Sequence, residues 1–404
     1  MEAIVLSANP MWEQFGTRTL FAAAYGAADF GECLTTMARI GDDGDSADWH
    51  REWRSTATRL TEQAATSESG GHEVSAREAY LRAALCHRTS YQPLYGTPVD
   101  PRLRAAFDAE SDALAAMVAL SPDLELVEIP FENGSLPGLF ARPDRIPTRG
   151  TIIYTNGYDS DLTEMLTAHV PPALARGYAI LLYDGPGQGR NLIRDGHHLR
   201  PDWETVVGPV VDWALDQPGV DPDRLVLAGW SLGGFLAPRA AAFEHRLAAL
   251  IADPGQWDLR DGFIDRLPLT GQQKAVFPDG VDPHTFDEFE AQLAGPDGDP
   301  MLRWTLLQRG LWVHGQATLF DYFVDACRYR VSDVAGHIGC PTLLTQAEHD
   351  PLGARAEKLY AALTVDRKAL IRFTAAEGAG GHCETTARRL FHERVYDWLD
   401  DTLD

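Results

Sequence analysis

Leu225-Val226-Leu227-Ala228-Gly229-Trp230-Ser231-Leu232-Gly233-Gly234 is the stretch that decides the fold. An apolar run introduced by Asp221-Pro222-Asp223 ends at glycine and passes through Gly-x-Ser-x-Gly. It then enters the alanine-rich Phe235 to Phe243. This order predicts a strand, a sharp turn and a helix. Such a turn lifts the Ser231 hydroxyl above the strand end and aims the free N–H groups of the following helix at any anion formed there. Gly229, Gly233 and Gly234 let the turn close without clashing side chains.

Outward from this stretch the chain reads as strands separated by helices. Upstream, Thr151 to Thr155 is a near-continuous apolar strand ending at Asn156-Gly157, and a helix is expected from Leu162 to Arg176. Tyr178 to Tyr183 is a second buried strand, followed by Asp184-Gly185-Pro186-Gly187-Gln188-Gly189 and a helix over Trp203 to Leu215. Downstream, Arg246 to Ala252, Pro341 to Thr345 and Ala369 to Phe373 supply further strands, and a terminal helix runs from about Thr385 to Leu399. Repeated βα units imply a mainly parallel sheet with both faces covered. Leu124 to Phe131, with Asn133-Gly134 as a turn and Leu136 to Ala141 as a return, reads as an antiparallel pair at its start.

Before Leu124 the period is helical. Trp12 to about Ile40, Trp49 to Ala65, a run through Leu85 and Pro101 to Leu120 are four helical stretches. Ser75 with Glu78 has the spacing of a capping box at the third of them. The expected organisation is an N-terminal helical domain over 1–120, a sheet core over 121–255 and 337–404, and an inserted helical lid over 256–336. The lid is rich in aromatic residues, Trp304, Trp312, Phe320 and Phe323 among them. Some of these residues are ordinary core, and others suit an apolar cover that excludes water from a reactive serine and holds an aromatic or acyl substrate; composition does not divide the two uses.

Composition narrows the partners. The 404 residues carry 45% apolar side chains, ten tryptophans and a net charge of −24. That charge disfavours binding to a nucleic-acid backbone or an anionic membrane, and leaves a small-molecule substrate as the expected partner. Met1 to Leu6 carries no basic region followed by a long apolar core, and no apolar run is long enough to span a bilayer, so a cytoplasmic location is expected. The five cysteines are dispersed without metal-ligand spacing and read as reduced, mostly buried thiols.

A serine hydroxyl needs a base, and the base needs an orienting acid. Asp350 follows the penultimate strand and His382 follows the last, in a glycine-rich loop, giving the order Ser231, Asp350, His382 expected for this architecture. Asp350 has rivals: Glu348 and His349 are adjacent, and Asp253, at the end of the strand after Ser231, is the next choice of acid. Two convergent backbone donors are required for an oxyanion, and the amides of Leu232 and Tyr158 fit that need. Asn156 and Asp159 can brace the Tyr158 loop, and Trp230, Trp304 and Trp312 are candidate substrate-facing or supporting residues. Gly185-x-Gly187-x-Gly189 reads as a tight structural loop, because Pro186 interrupts it and no helix follows at once. Asp159, Asp161 and Glu164 read as an acidic helix start, not a metal cluster. No His-Glu-x-x-His, P-loop or cysteine-rich metal pattern is present, so no metal and no cofactor is expected.

These motifs resemble those of the α/β-hydrolase superfamily. The likeness is carried by Asn156-Gly157-Tyr158-Asp159-Ser160, Asp184 to Gly189, Gly229 to Gly234 and Gly380-Gly381-His382-Cys383. With its leading helices, the chain is similar to the helical-extension esterase group. That group includes the FrsA-like proteins, the pseudo-oxynicotine C–C hydrolases and the YG-type polyketide chain-shortening hydrolases. The resemblance implies an α/β-hydrolase fold with a helical lid, a Ser-His-Asp triad, no cofactor and a homodimer. It also implies cleavage of an ester, amide or carbon–carbon bond beside a carbonyl in an aromatic or polyketide-like small molecule. Intramolecular acyl transfer or cyclisation, simple esterase or amidase activity, and non-catalytic binding are the alternatives.

Overall fold

The computed structural model describes residues 6–144 and 148–404; Met1 to Val5, read above for a leader, lie outside them. Eight strands form one sheet: β1 (Leu124–Phe131), β2 (Gly134–Ala141), β3 (Thr151–Thr155), β4 (Ala179–Tyr183), β5 (Leu225–Trp230), β6 (Ala249–Asp253), β7 (Thr342–Ala347) and β8 (Lys368–Phe373). Their spatial order is β1-β2-β4-β3-β5-β6-β7-β8. β2 runs antiparallel to β4, and every pairing from β4 to β8 is parallel. This is the α/β-hydrolase fold, with a leading helical region and a helical insertion between β6 and β7.

Burial explains the sequence pattern of the strands. Every residue of β3, β4, β5 and β6 is buried, so these strands read as continuous apolar runs without alternation. The register brings Thr155, Gly229 and Ala252 level across β3, β5 and β6. The next residues of each strand therefore emerge together at one edge: Asn156-Gly157, Ser231 and Asp253.

Two compact units are present. The first comprises residues 1–126, 163–171 and 299–309, and the second the remaining residues 127–162, 172–298 and 310–404. The first contains α1 (Pro10–Phe21), α2 (Phe30–Ile40), α3 (Ser46–Ser69), α4 (Glu73–Tyr91) and α5 (Pro101–Ala119). The expected single helix from Trp12 to Ile40 is broken, because Gly26 adopts φ +77° and Asp29 caps a new helix through the Gly31 N–H. α4 begins at Glu73, after Gly71 at φ +76° and the N-cap His72, so Ser75 lies inside its first turn and forms no capping box.

Buried Trp49, Trp53 and Phe15 form the apolar centre of this unit. Trp304 packs edge-on against Phe15, with ring centroids 4.9 Å apart, and lies 5.7 Å from the Tyr95 ring. Its indole donates to the Gln92 carbonyl at 2.8 Å. Among the described residues no helix is long and apolar enough to cross a membrane.

The lid insertion has an aromatic core of its own. Phe277, Phe286 and Phe323 are buried there. Phe286 lies 5.7 Å from Phe323 and 6.1 Å from Phe277, and Phe263 lies 4.9 Å from Phe323. These rings are therefore the share of the insertion's aromatic content that serves as ordinary core.

Candidate active site

Ser231 stands between β5 and the helix Gly233–Ala241 at φ +56°, a left-handed conformation that a non-glycine residue adopts only where its surroundings enforce it. The enforcement is visible atom by atom. The Ser231 N–H donates to the Asp253 carbonyl at 2.7 Å, and the Gly234 N–H donates to the Ser231 carbonyl at 2.8 Å. A Cβ on Gly229 would fall 1.9 Å from the Gly233 carbonyl oxygen. One on Gly233 would fall 2.3 Å from that of Thr155, and one on Gly234 2.0 Å from that of Pro254. All three glycines are thus required by close backbone approach.

His382 and Asp350 meet this serine. Ser231 Oγ lies 2.9 Å from His382 Nε2, and His382 Nδ1 lies 2.8 Å from Asp350 Oδ2. The imidazole side chain is 43% exposed and the Asp350 carboxylate fully buried, so the pair is open on the serine side and closed behind. Burial alone raises the Asp350 carboxyl. The His382 hydrogen bond and charge, together with the N–H groups of Leu352 and Cys383, outweigh it and hold the carboxyl below the usual value. Asp253 does not reach the imidazole. Its carboxylate takes the Thr345 hydroxyl at 3.0 Å and Arg388 at 3.0 Å.

The loop after β3 is braced from the glycine-rich loop after β4. Asn156 Nδ2 donates to Asp184 Oδ1 at 3.0 Å, and Asn156 Oδ1 accepts the Gly157 N–H at 2.6 Å. Gln188 Nε2 donates to the carbonyls of both Asn156 and Gly157 at 2.9 Å, while its Oε1 accepts the Gly185 N–H. The Gly185-Pro186-Gly187-Gln188-Gly189 segment is therefore a brace, although a short helix, Gly189–Ile193, does follow it at once, against the expectation from sequence. Its glycines answer to sterics: a Cβ on Gly189 would fall 1.9 Å from Asp184 Oδ2. Gln188 was not singled out from sequence, since nothing in its local spacing marks a glutamine that serves two distant carbonyls. Gln256, whose side chain donates to the Ser231 carbonyl, was missed for the same reason.

The remaining candidates are distributed. The Leu232 N–H has no acceptor among the described residues and precedes the helix Gly233–Ala241. Tyr158 and Asp159 are half-buried, and the Tyr158 ring lies 5.6 Å from that of His314. Trp230 is buried at the end of β5, with the Arg388 guanidinium 5.6 Å from its ring. Trp312 is buried in the insertion, and its carbonyl accepts from His198 at 2.9 Å. Trp304 belongs to the helical unit described above. Glu164 is held by Arg88 at 2.8 Å and by Arg18, which accounts for its charge without a metal. Asp350, His382 and Cys383 are the one set among the described residues whose ligand atoms come close enough to hold an ion. Two of these are already joined in the hydrogen-bonded chain to Ser231, and burial drives the Cys383 thiol well above its usual pKa.

A family model described as "Alpha/beta hydrolase family" matches residues 152–393. Hydrolase LUC6 of a Fusarium species is 33% identical over 411 residues, covering 95% of this chain and 94% of that protein. The 20-hydroxy-prefusarin hydrolase FUS2 of Gibberella moniliformis is 33% identical over 410 residues, with 95% and 94% covered. Among solved structures, the 2,6-dihydroxy-pseudo-oxynicotine hydrolase superposes with a TM-score of 0.74 at 22% identity over 95% of each chain, a likeness of fold.

Proposed function

Because the chain belongs to the alpha/beta hydrolase family, we propose that it is a serine-dependent hydrolase cleaving an ester or carbon–carbon bond beside a carbonyl in an aromatic or polyketide-like small molecule. The observation that carries this reading is the unbroken hydrogen-bonded chain Ser231–His382–Asp350 at 2.9 and 2.8 Å. The substrate class rests on the relatives, one of which is described as acting on 20-hydroxy-prefusarin.

In this reading Ser231 Oγ attacks the carbonyl carbon while His382 Nε2 takes its proton. Asp350 fixes the imidazole and stabilises the imidazolium that forms. The amides of Leu232 and Tyr158 receive the oxyanion, and the Asn156–Gln188 brace fixes the loop that carries the second of them. Collapse expels an alkoxide or a stabilised carbanion, which takes the proton back from His382 and leaves an acyl-serine. Water, deprotonated by His382, then releases the acid. A homodimer and a cytoplasmic location complete the proposal, the dimer by resemblance alone; light scattering on the purified chain tests it.

The deciding experiment compares the wild type with Ser231→Ala and His382→Ala on ester, diketone and lactone panels in ¹⁸O-labelled water. Both variants are expected to lose at least about a thousandfold in kcat, because the groups act as a unit. One solvent oxygen is expected in the acid product. A product of unchanged mass would replace hydrolysis by internal acyl transfer, and near-normal turnover by either variant would remove the serine mechanism.

A further inference from the structure

Beneath the Ser231–His382–Asp350 chain lies a second set of charged groups, all in the second unit and unused by the chemistry above. Asp253 is fully buried and the Arg388 side chain is 6% exposed; they form an ion pair at 3.0 Å. Asp253 Oδ1 takes the Thr345 hydroxyl. The same Arg388 nitrogen that holds Asp253 also donates to the Cys383 carbonyl at 2.8 Å. Glu384 is buried beside them, and no protein N–H or O–H among the described residues is directed at either of its oxygens. Burial, then the neighbouring Asp253 charge, raises its carboxyl well above the usual range.

Two facts connect this cluster to the chemistry. The Asp253 main-chain carbonyl accepts the N–H of Ser231, so the residue that anchors Arg388 also anchors the nucleophile turn. Cys383 and Glu384, immediately after His382, both adopt left-handed backbone conformations, at φ +51° and +47°. Consecutive non-glycine residues do not hold that conformation unaided. Arg388 secures the carbonyl between them. A buried ion pair is poor evidence of stabilisation, since apolar residues of similar volume often serve as well or better. Its position between the Ser231 turn and the His382 loop points instead to placement.

We infer that the buried Arg388–Asp253 pair is a positioning device that ties the Ser231 turn to the strained His382 loop and sets the distance between hydroxyl and imidazole. Arg388 and Asp253 touch no reacting atom. They act through Cys383 and through the Ser231 amide. This inference rests on the proposed serine mechanism.

The test uses Arg388→Met, Arg388→Lys and Thr345→Val in the full chain, each alone and on a His382→Ala background, with ester turnover and thermal melting both recorded. For folded Arg388→Met we expect kcat to fall about tenfold to a hundredfold with KM within about threefold, the size of effect that an ångström of misplacement produces. Arg388→Lys should recover part of the loss, and Thr345→Val should show a smaller fall of the same kind. The low-field proton resonance of the His382–Asp350 hydrogen bond should weaken in step. On the His382→Ala background the same changes should cost nothing further. Wild-type kcat in a folded Arg388 variant, or an undiminished penalty without His382, would overturn the inference while leaving the serine mechanism standing. Should Arg388→Met fail to fold, the Lys and Val variants decide the matter by the same criteria. Should His382→Ala itself retain turnover, the serine mechanism fails first, and that outcome is separately visible.

Discussion

Asp184 shows how much of this site is set by single residues outside the reacting trio. Its carboxyl is buried, and burial, then the charge of Asp161, raises it to about 8 from 3.8. Its folded-state pKa thus lies above its unfolded value, so the native chain holds this proton where the unfolded chain has released it. Linkage then makes the contribution of Asp184 most favourable below about pH 4. That contribution is lost progressively as pH rises toward 8, then levels off. Asp184→Asn, which keeps the acceptor for Asn156, should flatten the fall in stability between those limits, as read from urea midpoints across pH. An unchanged slope would assign the pH dependence to other groups. Asp350 has the opposite sign: its depressed carboxyl contributes above its unfolded value, and the contribution disappears on acidification through the folded one.

At the scale of elements, the strand–turn–helix at Ser231 and the strands around it were legible, because full burial writes itself as apolar runs and close approach writes itself as glycine. The order Ser231, Asp350, His382 was legible because strand ends and loop positions can be counted along the chain. The bracing between loops was not. Gln188 and Gln256 act on main-chain carbonyls far away in sequence, and Arg388 on the distant Asp253 carboxylate; a long-range bond from a side chain leaves no period or spacing to read. Gln188 offers a test. Replacing it by Ala leaves the buried carbonyls of Asn156 and Gly157 without their donor, which should cost about 1–3 kcal/mol in chemical denaturation. The larger effect should fall on kcat, by about tenfold or more, because the loop bearing the Tyr158 amide loses its support. A stability loss with kcat preserved would reduce the brace to an ordinary structural contact.

For the whole molecule, the aromatic content of the insertion between β6 and β7 could not be divided by composition. Phe277, Phe286 and Phe323 pack on one another, whereas Trp304 packs with Phe15 and Tyr95 in the helical unit. Both uses demand the same residue types. The charges of that unit were equally opaque, since Glu164 at a helix start satisfies a local rule while its partners, Arg18 and Arg88, lie far upstream. With Arg88 almost wholly buried, removing the acid breaks a desolvated pair from one side, an operation that costs about 3–5 kcal/mol. Glu164→Ala should therefore lower the denaturation midpoint markedly. A change within about 0.5 kcal/mol would mean that the arginines are satisfied without it.

The helical unit includes residues 299–309, a segment translated long after α1 to α5. Domains ordinarily fold in order of synthesis. Here α1 to α5 must wait, with the seat for Trp304 between Phe15 and Tyr95 still vacant, until a tryptophan encoded far downstream arrives to fill it. From the emergence of α5 to that of residue 304 the nascent chain thus carries an unfinished apolar surface, and that interval is when a holdase chaperone has something to grip.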